Sequence, residues 1–171
     1  MATHDITAST ITELPLDEVW AKLSDLGKAH FYVPDITGTQ ITTEQKTGVG
    51  TSRIVTGNRA PLIETVTVWN ERAGFTLRLH HDKGDGVPPL FKHATFEYAI
   101  KSETESTTRL TNTMCITPKG GVLGDLFAKL IRKPMLTMQN QITYGQRLFY
   151  ESGERPSKAA VRALMAEEGV A

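Results

Sequence analysis

After Pro118-Lys119-Gly120-Gly121 the chain runs to Ser152 with apolar side chains at helical spacing. They are Leu123, Phe127, Leu130, Ile131, Met135, Met138, Ile142, Gly145, Leu148 and Phe149. A helix of that length reaches roughly 45 Å. It carries one apolar stripe, which must be buried against another layer of structure. Pro134 lies inside the run and predicts a kink or a break near Arg132-Lys133, and Gly153 ends it. Beyond it, Ser157 reads as the N-cap of one more small helix over Ser157–Glu168, with Val161, Leu164 and Met165 on one side.

The layer that receives the stripe has to come from the preceding residues, and these are mostly β-prone. Asp5–Leu14 reads as a first strand ended by Pro15. Leu16–Leu26 then reads as a helix, with Asp17 and Glu18 in its first turn and Gly27 as its C-cap. Ala29–Val33 reads as a second short helix stopped by Pro34. Six short runs follow: Ile36–Thr43, Val49–Thr56, Pro61–Trp69, Phe75–His81, Phe91–Lys101 and Thr107–Thr117. Short connections between them argue antiparallel hairpins. The longest irregular stretch, Asp82–Pro89, holds two Gly and two Pro and is a candidate lid. The expectation is an α+β domain over residues 1–153, a curved antiparallel sheet of about seven strands around the long helix. Residues 154–171 form a tail.

Lys plus Arg and Asp plus Glu number 19 each, so the chain as a whole has no electrostatic footprint for nucleic acid or an anionic membrane, although a local patch is compatible with that balance. The single cysteine, Cys115, excludes an internal disulfide. The N-terminal residues show neither a basic nor an apolar leader region, and no apolar run is long enough to span a bilayer. A cytoplasmic protein without stable membrane insertion is expected.

Strand alternation identifies the buried face. It carries Leu62, Val66 and Val68 with Glu64; Phe75, Leu77 and Leu79, ending on His81; Ala94, Phe96 and Ile100 with Tyr98; and Leu110, Met114 and Ile116 with Asn112. Four polar groups therefore share parity with the apolar face. Unpaired, each would cost roughly 1–3 kcal/mol if buried. Either they pair inside a packed core, or they line a cavity for water or a ligand. Under the cavity reading, the ligand-facing set is Tyr32, Arg53, Glu64, Val66, Leu77, Leu79, His81, Phe96, Tyr98, Asn112, Met114, Phe127, Met135 and Met138.

The order of elements is joined by short motifs. Leu14-Pro15-Leu16-Asp17-Glu18-Val19-Trp20 enters the first helix. Ser24-Asp25-Leu26-Gly27 precedes Tyr32-Val33-Pro34-Asp35-Ile36. Gly48-Val49-Gly50-Thr51-Ser52-Arg53 opens a strand, and Glu64-Thr65-Val66-Thr67-Val68-Trp69-Asn70 forms another. In this order they resemble the START/Bet v 1-like (SRPBCC) superfamily, in particular its polyketide cyclase/dehydrase-like branch, up to about Ser152. The resemblance implies a helix-grip fold with a cavity between sheet and long helix. It implies apolar ligands such as lipids, hormones or polyketides, and enzymatic activity in some members. It supplies no universal catalytic residues.

Three functions fit these features. The first is binding of a small hydrophobic molecule without chemistry. The second is a cyclase or dehydratase in which Glu64, His81 or Tyr98 moves protons. The third is a protein-interaction domain with a vestigial cavity. Arg53 and Glu64 could orient a ligand carbonyl or carboxylate, or could form a structural salt bridge. His81 could be an acid–base group or a solvated residue at the mouth. His80 and His81 point to opposite faces, which argues against a metal site with His93, and no cofactor motif is present. Gly120–Gly124 lacks the spacing of a dinucleotide fold and reads as a turn and cap. A glycine-bounded sheet edge leaves room for a homodimer.

Overall fold

The structure is a computed structural model and describes residues 2–58, 60–81 and 90–170. The candidate lid, Asp82–Pro89, lies outside the described residues.

Seven strands form one antiparallel sheet in the order β1-β7-β6-β5-β4-β3-β2. They are β1 (His4–Thr12), β2 (Ile36–Ile41), β3 (Ser52–Gly57), β4 (Leu62–Asn70), β5 (Gly74–His80), β6 (Phe91–Ser102) and β7 (Thr108–Pro118). From β2 to β7 each strand pairs with its successor in the chain, as short hairpin connections require. β1 closes the order by pairing with β7 from His4–Ile116 to Thr12–Thr108. The sheet curves around the long helix α2 (Val122–Ser152), which gives the expected α+β helix-grip architecture.

Alternation places Val66, Phe75, Leu77, Leu79, Ala94, Phe96, Tyr98, Ile100, Leu110 and Ile116 in one buried cluster with Ile142 and Tyr150 of α2. The alternation expected for β4 fails at its end. A register shift between Val66 and Val68 pairs Val68 with Thr76 on the outer face and leaves it 44% exposed. Such a bulge adds one residue and inverts the parity beyond it. Trp69 therefore turns inward instead, stacking on Phe75 at 5.5 Å and meeting Trp20 of α1 (Leu16–Leu23) edge-on at 5.1 Å.

The first helix is shorter than its apolar spacing suggests. It ends with Ser24 as C-cap, and Leu26–Phe31 forms a separate 3-10 helix. Gly27 does not cap α1. Its N–H is instead held by the side chain of Asp25, which caps the 3-10 helix (3.2 Å).

Of the kink or break expected at Pro134, the break is absent, and α2 runs as one helix past it. The proline leaves the Leu130 carbonyl without its helical donor, but Leu130 is 78% exposed, so solvent can hydrate that group. Leu123 and Leu130 also leave the buried stripe, and Leu123 is 77% exposed. At 100° per residue both lie about 100° away from Ile131, Met135 and Ile142, which do face the core. The tail forms α3 (Lys158–Glu167), capped by Ser157, whose hydroxyl accepts from the Ala160 N–H at 3.1 Å. Val161 and Met165 pack on Tyr144 of α2, with Leu148 and Leu164 beside them.

Candidate functional site

Register brings the inner polar residues of neighbouring strands together. Arg53 of β3 pairs with Glu64 of β4, which pairs with Leu79 of β5. Tyr98 of β6 pairs with Asn112 of β7. Two polar groups result, with aromatic rings between them.

The first group centres on Arg53, which is 2% exposed. Its Nε donates to Glu64 Oε2 (2.6 Å), and another guanidinium nitrogen donates to the Leu26 carbonyl (2.7 Å). Arg53 thereby ties β3 to both β4 and the 3-10 helix, so the structural salt bridge expected as one alternative is present. Burial is the largest influence and works against the Arg53 charge, but the Glu64 carboxylate together with Tyr32 and Tyr98 more than offsets it and keeps the guanidinium charged. The 3-10 segment brings Tyr32 over the sheet, close enough to Tyr98 and the Arg53 guanidinium for their charges to act on its hydroxyl. Tyr32 and Tyr98 meet edge-on with ring centroids 6.3 Å apart. Burial raises the pKa of both tyrosines, so their hydroxyls are donors rather than bases. Glu64 differs from its neighbours in keeping 14% of its side-chain surface exposed, although it points to the concave face.

The second group joins β7 to α2. Asn112 Nδ2 donates to Thr143 Oγ1 (3.0 Å) and to Gln146 Oε1 (2.9 Å), and Gln146 Nε2 donates to the Tyr150 hydroxyl (2.9 Å). Tyr150 meets Tyr32 edge-on at 6.1 Å, which links the two groups. One turn before Thr143, Gln139 is fully buried, and neither its Oε1 nor its Nε2 has a partner among the described residues. Sequence patterning missed Gln139, Thr143, Gln146 and Tyr150. Their signal was present as an i, i+4, i+7, i+11 row on the inward side of the helix, which apolar periodicity alone passes over.

The walls are apolar. Val66, Leu77, Leu79 and Phe96 are buried on the concave face. Met114, Met135 and Met138 pack against the same cluster but keep partial exposure, as does Phe127, whose ring meets Phe91 at 6.5 Å. Their partial exposure places these residues at the margin of the packed interface between α2 and the sheet. α2 itself rests on β1 and β7, leaving β3 to β5 as the opposite wall. A cleft of about 210 Å³ opens where β5 and β6 part beyond the Arg78–Thr95 pair, and it reaches the buried Leu79 and Ala94. A smaller cleft of about 80 Å³ lies under α3, lined by Phe31, Tyr32, Arg155 and Lys158 among others.

Of the three acid–base candidates that strand parity singles out, Glu64 and Tyr98 join the cluster. His81 lies one residue past β5, beyond the last β4–β5 pair at Ile63–His80, and is half-buried. The adjacent His80 points the other way, its Nε2 2.9 Å from Thr65 Oγ1. Cys115 is on the outer face with its Sγ 2.6 Å from Asp5; burial, with that carboxylate, pushes the thiol up to about 11, so it is not a ready nucleophile. No helix among the described residues is long and apolar enough to cross a membrane.

The profile of the family described as polyketide cyclase / dehydrase and lipid transport matches residues 3–141. No curated protein matches the sequence. Among solved structures, the ZhuI aromatase/cyclase from Streptomyces sp. R1128 superposes with a TM-score of 0.63 at 12% identity, covering 89% of this chain and 98% of that one. A START superfamily protein from Mycobacterium smegmatis gives 0.59 at 14% identity over 82% and 94% of the two chains. Ara h 8.0201 gives 0.61 at 14% identity over 88% and 99%. At these identities the likeness establishes a shared fold.

Proposed function

The chain belongs to the polyketide cyclase / dehydrase and lipid transport family, and on that premise we propose that it binds a small, mainly apolar molecule between the sheet and α2. One observation carries the reading. The Glu64 carboxylate, anchored by Arg53 and near Tyr32 and Tyr98, keeps 14% of its side-chain surface exposed on a concave face that is mainly apolar. Val66, Leu77, Leu79, Phe96, Met114, Phe127, Met135 and Met138 supply the apolar contacts, and the methionines let the wall adapt to ligand shape. Glu64 would accept from a ligand hydroxyl, and Asn112 and Arg53 order the groups around it.

A fixed set of oriented polar groups within apolar walls suits recognition of a molecule such as a hydroxylated polyketide or lipid. Catalysis asks for a free acid–base pair, and here the carboxylate is committed to Arg53 while the tyrosines hold their protons.

Native mass spectrometry of freshly purified protein tests this. A discrete apolar adduct is expected, released on denaturation and reduced in occupancy by Glu64→Gln and Tyr98→Phe. Ligand-free protein that also takes up no hydroxylated aromatic probe would overturn the reading. Conversion of such a probe, lost in Glu64→Gln, would replace binding with the cyclase or dehydratase function.

A further inference from the structure

The outward side of α2 is covered along only half its length. In the C-terminal half, α3 lays Val161 and Met165 over Tyr144. In the N-terminal half the corresponding side is bare: Val122 is 84% exposed, Leu123 77%, Leu126 64% and Leu130 78%. Leu90, whose carbonyl accepts from the Lys119 N–H at 2.9 Å, extends this surface and is 53% exposed. A run of bare leucines is unusual on a soluble surface and marks an interaction site.

The charges around it name the occupant. The whole chain is balanced, but residues 119–133 contain Lys119, Lys129, Arg132 and Lys133 against one acidic residue, Asp125. That carboxylate is taken by His4 Nε2 at 3.2 Å, and Arg132 reaches back to the Asp5 carbonyl at 3.2 Å. Lys119, Lys129 and Lys133 are exposed, and no ion pair engages them among the described residues. Lys129 and Lys133 follow Leu126 and Leu130 by three residues, so each flanks the apolar row on the same side of the helix. A second copy of the chain on this face would bring lysines against lysines around a two-fold axis. Nucleic acid would leave the leucines without apolar contact. An amphipathic helix face with leucines between lysines matches the boundary of an anionic bilayer, where apolar side chains enter the acyl region and cations meet headgroup charge.

We propose that the N-terminal half of α2 is a peripheral docking surface for anionic membranes. Docked there, the protein would exchange its apolar cargo at the bilayer; the docking itself needs no cargo, so it stands or falls separately from the ligand reading.

Co-sedimentation of the full chain with vesicles tests it. Pure phosphatidylcholine is compared with an equimolar mixture of phosphatidylcholine and phosphatidylglycerol. The wild type should partition onto the mixed vesicles, and added salt should release it. Each lysine near an anionic surface contributes about five-fold in partition, so Lys129→Gln with Lys133→Gln should weaken binding roughly 25-fold. Leu126→Asp with Leu130→Asp should abolish it while leaving the melting temperature unchanged, since both side chains are exposed. If that pair fails to fold, the lysine variants carry the test. No binding to the mixed vesicles, equal binding to both kinds, or binding that survives the variants would overturn the proposal. So would a wild-type dimer that ignores vesicles and is dissociated by the leucine variants.

Discussion

Replacing Arg53 with Met removes the centre of the polar cluster while keeping most of its volume. Glu64 then points to the concave face without a cation, and the Leu26 carbonyl loses its donor. Removing one partner of a buried ion pair costs about 3–5 kcal/mol, because the remaining charge is left uncompensated. Glu64 is 14% exposed, so some hydration remains and the lower end, about 3 kcal/mol, applies. For a chain of this length that corresponds to a melting point lower by about 6–12 °C. In the double variant Arg53→Met/Glu64→Gln the charge is gone, and the loss should shrink to about 1 kcal/mol for the broken hydrogen bonds. Urea unfolding of wild type, both single variants and the double variant gives the coupling, expected at about 2 kcal/mol or more. A single Arg53→Met variant within about 1 kcal/mol of wild type, or a double variant as unstable as that single one, would refute the buried-pair account.

Three further outcomes are expected. Asn112→Leu leaves Gln146 Oε1 without its donor and should lower stability by about 2 kcal/mol in urea unfolding; a neutral result would mean that the β7–α2 network adds nothing. At Gly145 a Cβ would stand 2.8 Å from the Tyr32 carbonyl, so Gly145→Ala should lower the melting point although alanine favours a helix by about 1 kcal/mol. A higher melting point would show that the backbones can part freely. All four tyrosines have raised pKa values, mainly through burial. A raised tyrosine pKa leaves folding unaffected at neutral pH and destabilises the native state once pH passes the unfolded value of about 10. Ultraviolet titration should therefore show tyrosinate appearing together with unfolding above that pH, and full ionisation in the still-folded protein would contradict the burial.

What could be read from the sequence followed the regularity of each signal. Alternation at Leu77–Leu79 and Phe96–Tyr98 is strict, and it located both the sheet and the inward Tyr98. The same rule failed at Val68 because a bulge adds a residue that no local residue type announces. Pro134 signalled a kink or a break, and the helix does not break there, since the cost of proline is small on the solvent side of a helix held by packing elsewhere. Asn112 was recognised as an inward amide, but its partners Thr143 and Gln146 lie more than thirty residues away in the chain, and only the fold unites them. The exposed Leu123 and Leu130 were folded into one apolar stripe, because counting leucines does not separate two faces of a helix. Angular position does separate them.

The central claim is that the space between α2 and the sheet receives an apolar ligand, and methionine-methyl NMR tests it most directly. Met114, Met135 and Met138 border that space, whereas Met165 belongs to α3 and is buried against Tyr144 on the other side of α2. On titration with an apolar hydroxylated aromatic such as naphthol, the first three methyl signals should shift together and saturate while Met165 stays in place. Three unmoved inner methyls, or a shift confined to Met165, would contradict the account.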